Sequence, residues 1–155
     1  MLAALVLAGC GFHLRGGAKL PEGIDVVYLS GGSEALSSEV AEYVKIAGAS
    51  VTDRAEDADA ILAISGETFG RRLLSVDPNT GKEREFELSY ALTFALRDPS
   101  GRPIVGDQPL KLLRDYVFYP DQVIGKSREQ NVIQDEMVRD AAEQILSRLS
   151  IVLQE

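Results

Sequence analysis

The sequence predicts an α+β fold: two helices packed on one face of a four-stranded mixed sheet, in the order β-α-β-β-β-α. Three stretches carry that expectation. Phe86, Leu88, Tyr90, Leu92, Phe94 and Leu96 alternate with smaller or polar residues, the period of a long strand with one buried face. Ile133, Met137, Val138, Ala141, Ile145 and Leu149 recur at the spacing of an amphipathic helix. Ahead of both, a short β-branched and aromatic run leads through glycines into a second helical pattern. The chain has 155 residues, 45% hydrophobic and 26% charged, which suits one globular domain burying roughly two-thirds of its unfolded surface.

The first strand is read from Val26, Val27, Tyr28 and Leu29, and Ser30-Gly31-Gly32 ends it. Ser33 is a good N-cap because its short hydroxyl can accept from a free backbone N–H of the first turn. Leu36, Val40, Tyr43, Val44 and Ala47 then trace the first helix, and Gly48 stops it. Residues 52–59 read as a polar, acidic connection. Ala60 to Phe69 is the second strand, with Ile61, Leu62 and Ile64 in the core. Asp77-Pro78-Asn79-Thr80-Gly81 gathers turn formers and marks a hairpin into the alternating third strand. Asp98-Pro99-Ser100-Gly101 is the next turn, and the fourth strand is placed at about Leu110 to Tyr119. Phe118-Tyr119-Pro120 is read as core packing by default, with an aromatic face turned to a partner as the other reading. Ser127-Arg128-Glu129-Gln130 has the form of a capping box, which places Ser127 at the N-cap of the last helix.

Composition removes several classes of chemistry. Lys and Arg total 16 against 24 Asp and Glu, a net charge of −8, so no broad electrostatic contact with nucleic acid is expected. One cysteine and one histidine exclude an internal disulfide, a CxxC-type zinc site and a multi-histidine metal centre. A nucleophilic triad would have to run through His13, which has no partner constellation. Neither a GxxxxGK(S/T) nor a GxGxxG string is present. Asp53, Glu56, Asp57 and Asp59 lack the glycine and ligand spacing of a calcium loop and read as a solvated acidic face. No catalytic residue, metal ligand or cofactor is assigned.

Met1 to Gly9 carries no polar or charged side chain, yet nine residues are too few to span a bilayer core, which takes about 20. Leu7-Ala8-Gly9-Cys10 resembles the bacterial lipobox, in which small residues admit a signal peptidase and the thiol accepts lipid. Residues 1–9 are therefore read as a signal-peptide remnant, Cys10 as the lipid attachment site, 10–23 as a lipidated arm, and 24–155 as a single α+β domain. Each buried acyl CH₂ contributes about 0.8 kcal/mol, so a fully acylated terminus would be a permanent anchor.

Cys10-Gly11-Phe12-His13-Leu14-Arg15 resembles the start of mature members of the LptE family, whose pattern there is C-G-F/W-x-L-R. Lys126-Ser127-Arg128-Glu129-Gln130, followed by Ile133, Asp135-Glu136-Met137 and Ala141-Ala142, is similar to the start of that family's last helix. The resemblance implies a non-enzymatic lipoprotein of the Gram-negative outer membrane, with its domain in the periplasm or a barrel lumen. It further implies plugging and assembly of the LptD β-barrel, and binding of lipopolysaccharide during delivery to the outer leaflet. A family lysine just before the last helix maps onto Lys126. For a basic residue of the hairpin the direct alignment falls near Asn79, leaving Lys82 and Arg84 as candidates. The other reading is a lipoprotein subunit of a different envelope transport or assembly machine. A cation at the positive end of a helix macrodipole is mildly unfavourable, by about 0.3–1 kcal/mol, but together with free N–H groups it suits a phosphate.

Overall fold

The computed structural model describes residues 20–21, 23–117 and 126–153. Along them run β1 (Val26–Ser30), α1 (Glu34–Ile46), β2 (Ser50–Thr52), β3 (Ala60–Val76), β4 (Glu83–Arg97), β5 (Pro103–Val117) and α2 (Lys126–Val152). The sheet order is β2-β1-β3-β4-β5. β1 lies parallel to β2 and β3, while β3, β4 and β5 form an antiparallel meander, so the sheet is mixed as expected.

The alternating strand behaves as its pattern requires. Phe86, Leu88, Tyr90, Leu92, Phe94 and Leu96 of β4 are all buried, in one core with Leu36, Val40 and Val44 of α1 and Met137, Ala141, Ile145 and Leu149 of α2. Both helices therefore cover the same face. Ser33 caps α1 as predicted: its backbone is extended and its Oγ accepts from Leu36 N–H at 3.2 Å. Before it, Gly31 has φ +79, and a Cβ there would sit 2.2 Å from the Ile64 carbonyl oxygen, so only glycine fits.

Three expectations about the sheet need correction. The sheet has five strands, not four, because Ser50–Thr52 adds a short parallel edge beside β1. Three residues carry no readable period; the strand is held instead by Ser50 N–H donating to the Asp25 carbonyl at 2.8 Å. β3 runs on past Phe69 to Val76, since Gly70-Arg71-Arg72 continues the ladder against Ser89, Leu88 and Glu87 rather than ending it. β5 begins at Pro103, well before Leu110. Register shifts between Phe94 and Arg97 break its alternation, and its two prolines are tolerated because the strand is an edge.

α2 starts at Lys126, so Lys126 is the first helical residue rather than the one before the helix, and Ser127 falls inside the first turn rather than at the N-cap. The side chains of residues 126–128, the arm with Cys10 and His13, and Phe118-Tyr119-Pro120 lie outside the described residues. Among the described residues no helix is long and apolar enough to cross a membrane.

Candidate anion-binding end of the sheet

Chain direction decides which candidate residues meet. Val117, the last residue of β5, pairs with Glu85 beside the β3–β4 turn. Arg114 bonds Asp140 of α2, while Arg148, two turns further along the helix, donates to the Pro109 carbonyl at 2.9 Å. α2 thus runs antiparallel to β5. Its first turn, with Lys126, comes to the same end of the sheet as the hairpin turn with Lys82 and Arg84.

Asp77 builds that turn. Its Oδ1 accepts from Asn79 N–H at 2.9 Å, Thr80 N–H at 2.8 Å and Thr80 Oγ1 at 3.1 Å. The Thr80 and Asn79 N–H bonds, with a smaller share from the Arg84 charge, hold the Asp77 carboxyl below its ordinary pKa. Gly81 takes φ +66, and Asp77 N–H closes the hairpin on the Lys82 carbonyl at 2.8 Å. Lys82 and Arg84 are exposed, and among the described residues neither lies within ion-pair distance of a carboxylate.

Sequence reasoning missed two further features of this end. The first is Arg71, whose guanidinium lies 3.6 Å from the centroid of Phe86 and makes a long contact of 3.8 Å with Glu83. Its neighbour Arg72 points to the other face and pairs with Glu87 at 3.1 Å. The alternation Phe69, Arg71, Leu73 was available in the sequence as a signal.

The second is Glu67. The register shift between Ser65 and Thr68, with Gly66 at φ +64, leaves Glu67 beside the start of α1. There it accepts from Ser33 N–H, from Ser33 Oγ at 2.8 Å and from the Tyr90 hydroxyl at 2.6 Å. Burial, reinforced by the Glu67 carboxylate, pushes the Tyr90 phenol far above its ordinary pKa. No sequence pattern links residues 33, 67 and 90.

The acidic stretch after β2 is engaged internally. Asp59 Oδ2 accepts from Asp25 and Val26 N–H at 3.0 and 2.9 Å, and Arg54 pairs with Glu56 and Asp57. Among the described residues no group of three or more His, Cys, Asp and Glu is placed to hold a metal.

A family model named LptE and described as lipopolysaccharide-assembly matches residues 24–149. The LPS-assembly lipoprotein LptE of Pectobacterium atrosepticum is 28% identical over 153 residues, spanning 96% of this chain and 80% of its own length. The fold is also shared with solved structures. An uncharacterized lipoprotein B from Nitrosomonas europaea superposes with TM-score 0.76 at 29% identity, covering 93% of both chains. The rare lipoprotein B of Shewanella oneidensis gives 0.66 at 30% identity, covering 82% of this chain and 95% of its own.

Proposed function

Since this chain belongs to the LptE family of lipopolysaccharide-assembly lipoproteins, we propose that it plugs an LptD-like outer-membrane barrel, helps that barrel assemble and binds lipopolysaccharide in transit. Its role in lipopolysaccharide assembly is non-enzymatic. The anchor is an acylated Cys10, and the domain works in the periplasm or barrel lumen. One observation carries the binding part of the reading: in a chain of net charge −8, exposed Lys82 and Arg84 stand at the end of the sheet where α2 begins with Lys126. Free N–H groups of a helix start and nearby cations both favour a phosphate, which lipopolysaccharide supplies.

Binding of lipopolysaccharide should fall in the order wild type, Lys126→Ala, Lys126→Glu, and added salt should narrow the differences. Melting temperature should hardly change, because surface substitutions of this kind stay within about 0.5 kcal/mol. Lys82→Glu and Arg84→Glu should weaken binding in the same assay. Equal binding by wild type and Lys126→Glu at low salt would remove Lys126 from the site. The anchor is tested separately: Cys10→Ser should lose a metabolic fatty-acid label, and label retained on the variant would overturn acylation at that residue. Affinity purification from membranes should recover a large β-barrel; consistent recovery of a different envelope complex would replace the barrel-plug role.

A further inference from the structure

The two edges of the sheet are not alike. One is β2, only three residues long, and the length of β3 that runs on past β1 is broken by register shifts at Ser65–Thr68 and Leu73–Ser75. The other is β5, which among the described residues pairs with β4 alone. Its pairing runs without a shift from Gln108 opposite Phe94 to Val117 opposite Glu85. A regular edge of that length is a template for another strand unless something blocks it.

The first half of β5 is blocked. Pro103 and Pro109 have no N–H to offer, and the Pro109 carbonyl is already taken by Arg148 at 2.9 Å. Proline is tolerated there because its backbone faces away from β4, where Arg148 meets it. By strand alternation Lys111, Leu113, Asp115 and Val117 turn their N–H and C=O groups the same way. No proline or register shift guards this half. The four side chains stand opposite Ala91, Ser89, Glu87 and Glu85, on the face away from the helices, and all are exposed, Leu113 by 49%. Among the described residues neither Lys111 nor Asp115 has an ion-pair partner, and Glu87 beside Asp115 is taken up by Arg72.

The spacing of these groups is self-complementary. When two such edges meet antiparallel with Leu113 opposite Leu113, Lys111 of each copy stands opposite Asp115 of the other. Opposite charges facing each other across a ladder are favourable, and like charges are not. The same register sets Val117 against Pro109, where the missing N–H and Arg148 end the ladder after about six backbone hydrogen bonds. A register moved by two residues in either direction loses both charge pairs.

We infer that this half of β5 pairs with the same strand of a second copy, about a two-fold axis at Leu113, joining two sheets into one. The assembly closes at two, because the symmetry mate uses up the regular edge and the opposite side offers only a short or interrupted one. This pairing is independent of the barrel and lipopolysaccharide roles proposed above.

The test uses the full acylated protein in detergent, followed by sedimentation velocity over a concentration series. Wild type should pass from monomer to dimer as concentration rises and go no further. Lys111→Asp and Asp115→Lys should each weaken the dimer about tenfold. The two together should restore it, since the exchange only reverses each pair. These exposed side chains contribute little to folding, so melting curves near wild type are expected. Leu113→Pro should abolish the dimer and spare the fold, because the N–H it removes faces outward. If that variant does not fold, the charge exchange decides. A short thiol crosslinker should join two copies of Leu113→Cys but not of Ser50→Cys on the opposite edge. Monomer at every concentration overturns the inference, and so does a dimer indifferent to both single charge changes. Crosslinking of position 113 only to a different protein in intact membranes would give the edge to that protein and overturn self-pairing.

Discussion

Glu67 gathers three donors from two other elements, and its neighbours feel its loss differently. Glu67→Ala leaves Ser33 N–H and Oγ and the buried Tyr90 hydroxyl without their acceptor. Each orphaned polar group costs about 1–3 kcal/mol where water cannot replace the bond, so a lower denaturation midpoint is expected. The Tyr90 phenol supplies an independent readout. Its pKa is raised by burial first and by Glu67 second, so the variant should titrate lower than wild type but still above the ordinary value of 10.0. A phenol raised in the folded state binds its proton more tightly than in the unfolded chain. Stability should thus be unaffected below about pH 10 and decline as pH rises beyond it. Ultraviolet absorbance of tyrosinate against pH checks both statements, and a Tyr90 titration unchanged by the substitution would contradict them.

At the scale of elements, legibility followed pattern length. β4 was plain because six large side chains in period two admit a single reading, and the core contains all six. Leu92→Asp should therefore abolish cooperative unfolding, since it puts an unpaired carboxylate where 3% of the residue is exposed. A melt near that of wild type would mean that β4 presents its other face inward. α1 was legible from its cap and spacing. β2 was not, because its three residues are fixed by a backbone bond from Ser50 to Asp25 rather than by side-chain pattern. The far half of β3 was hidden by Gly70 and two arginines, which look like a strand end until β4 is seen to pair with them. That half also differs from the near half in support. Residues 61–63 are flanked by β1 and β4, whereas among the described residues Thr68–Val76 pairs with β4 alone. Amide hydrogen exchange should be faster over residues 68–76 than over 61–63, and equal protection would show that something else covers the outer edge.

For the whole molecule, the sheet and its two helices followed from hydrophobic period, but the arrangement of its charges did not. The sequence offered Lys82, Arg84 and Lys126 as candidates through a resemblance, and the antiparallel run of α2 along β5 brings their chain positions to one end. Arg71 and Glu67 escaped because their roles depend on strand register and on a bulge, neither of which a single sequence encodes locally. Net charge was equally mute about sidedness: a value of −8 is compatible with a cationic face once Glu85 and Glu87 are directed to the opposite surface.

The one-sided stretch of β3 has a consequence for how copies of this protein behave toward one another. A straight, apolar strand with a row of unused N–H and C=O groups is a template on which another chain can lengthen the sheet. Here the ladder is interrupted at Ser65–Thr68 and again at Leu73–Ser75, so the edge is kinked at both ends, and Arg71 and Arg72 place two charges between the kinks. Two copies approaching edge to edge would meet on backbones whose bonding groups are out of step. Irregularity in this strand thus acts as a brake on self-assembly, so that the exposed Phe69, Leu73 and Val76 do not become the seed of a fibril.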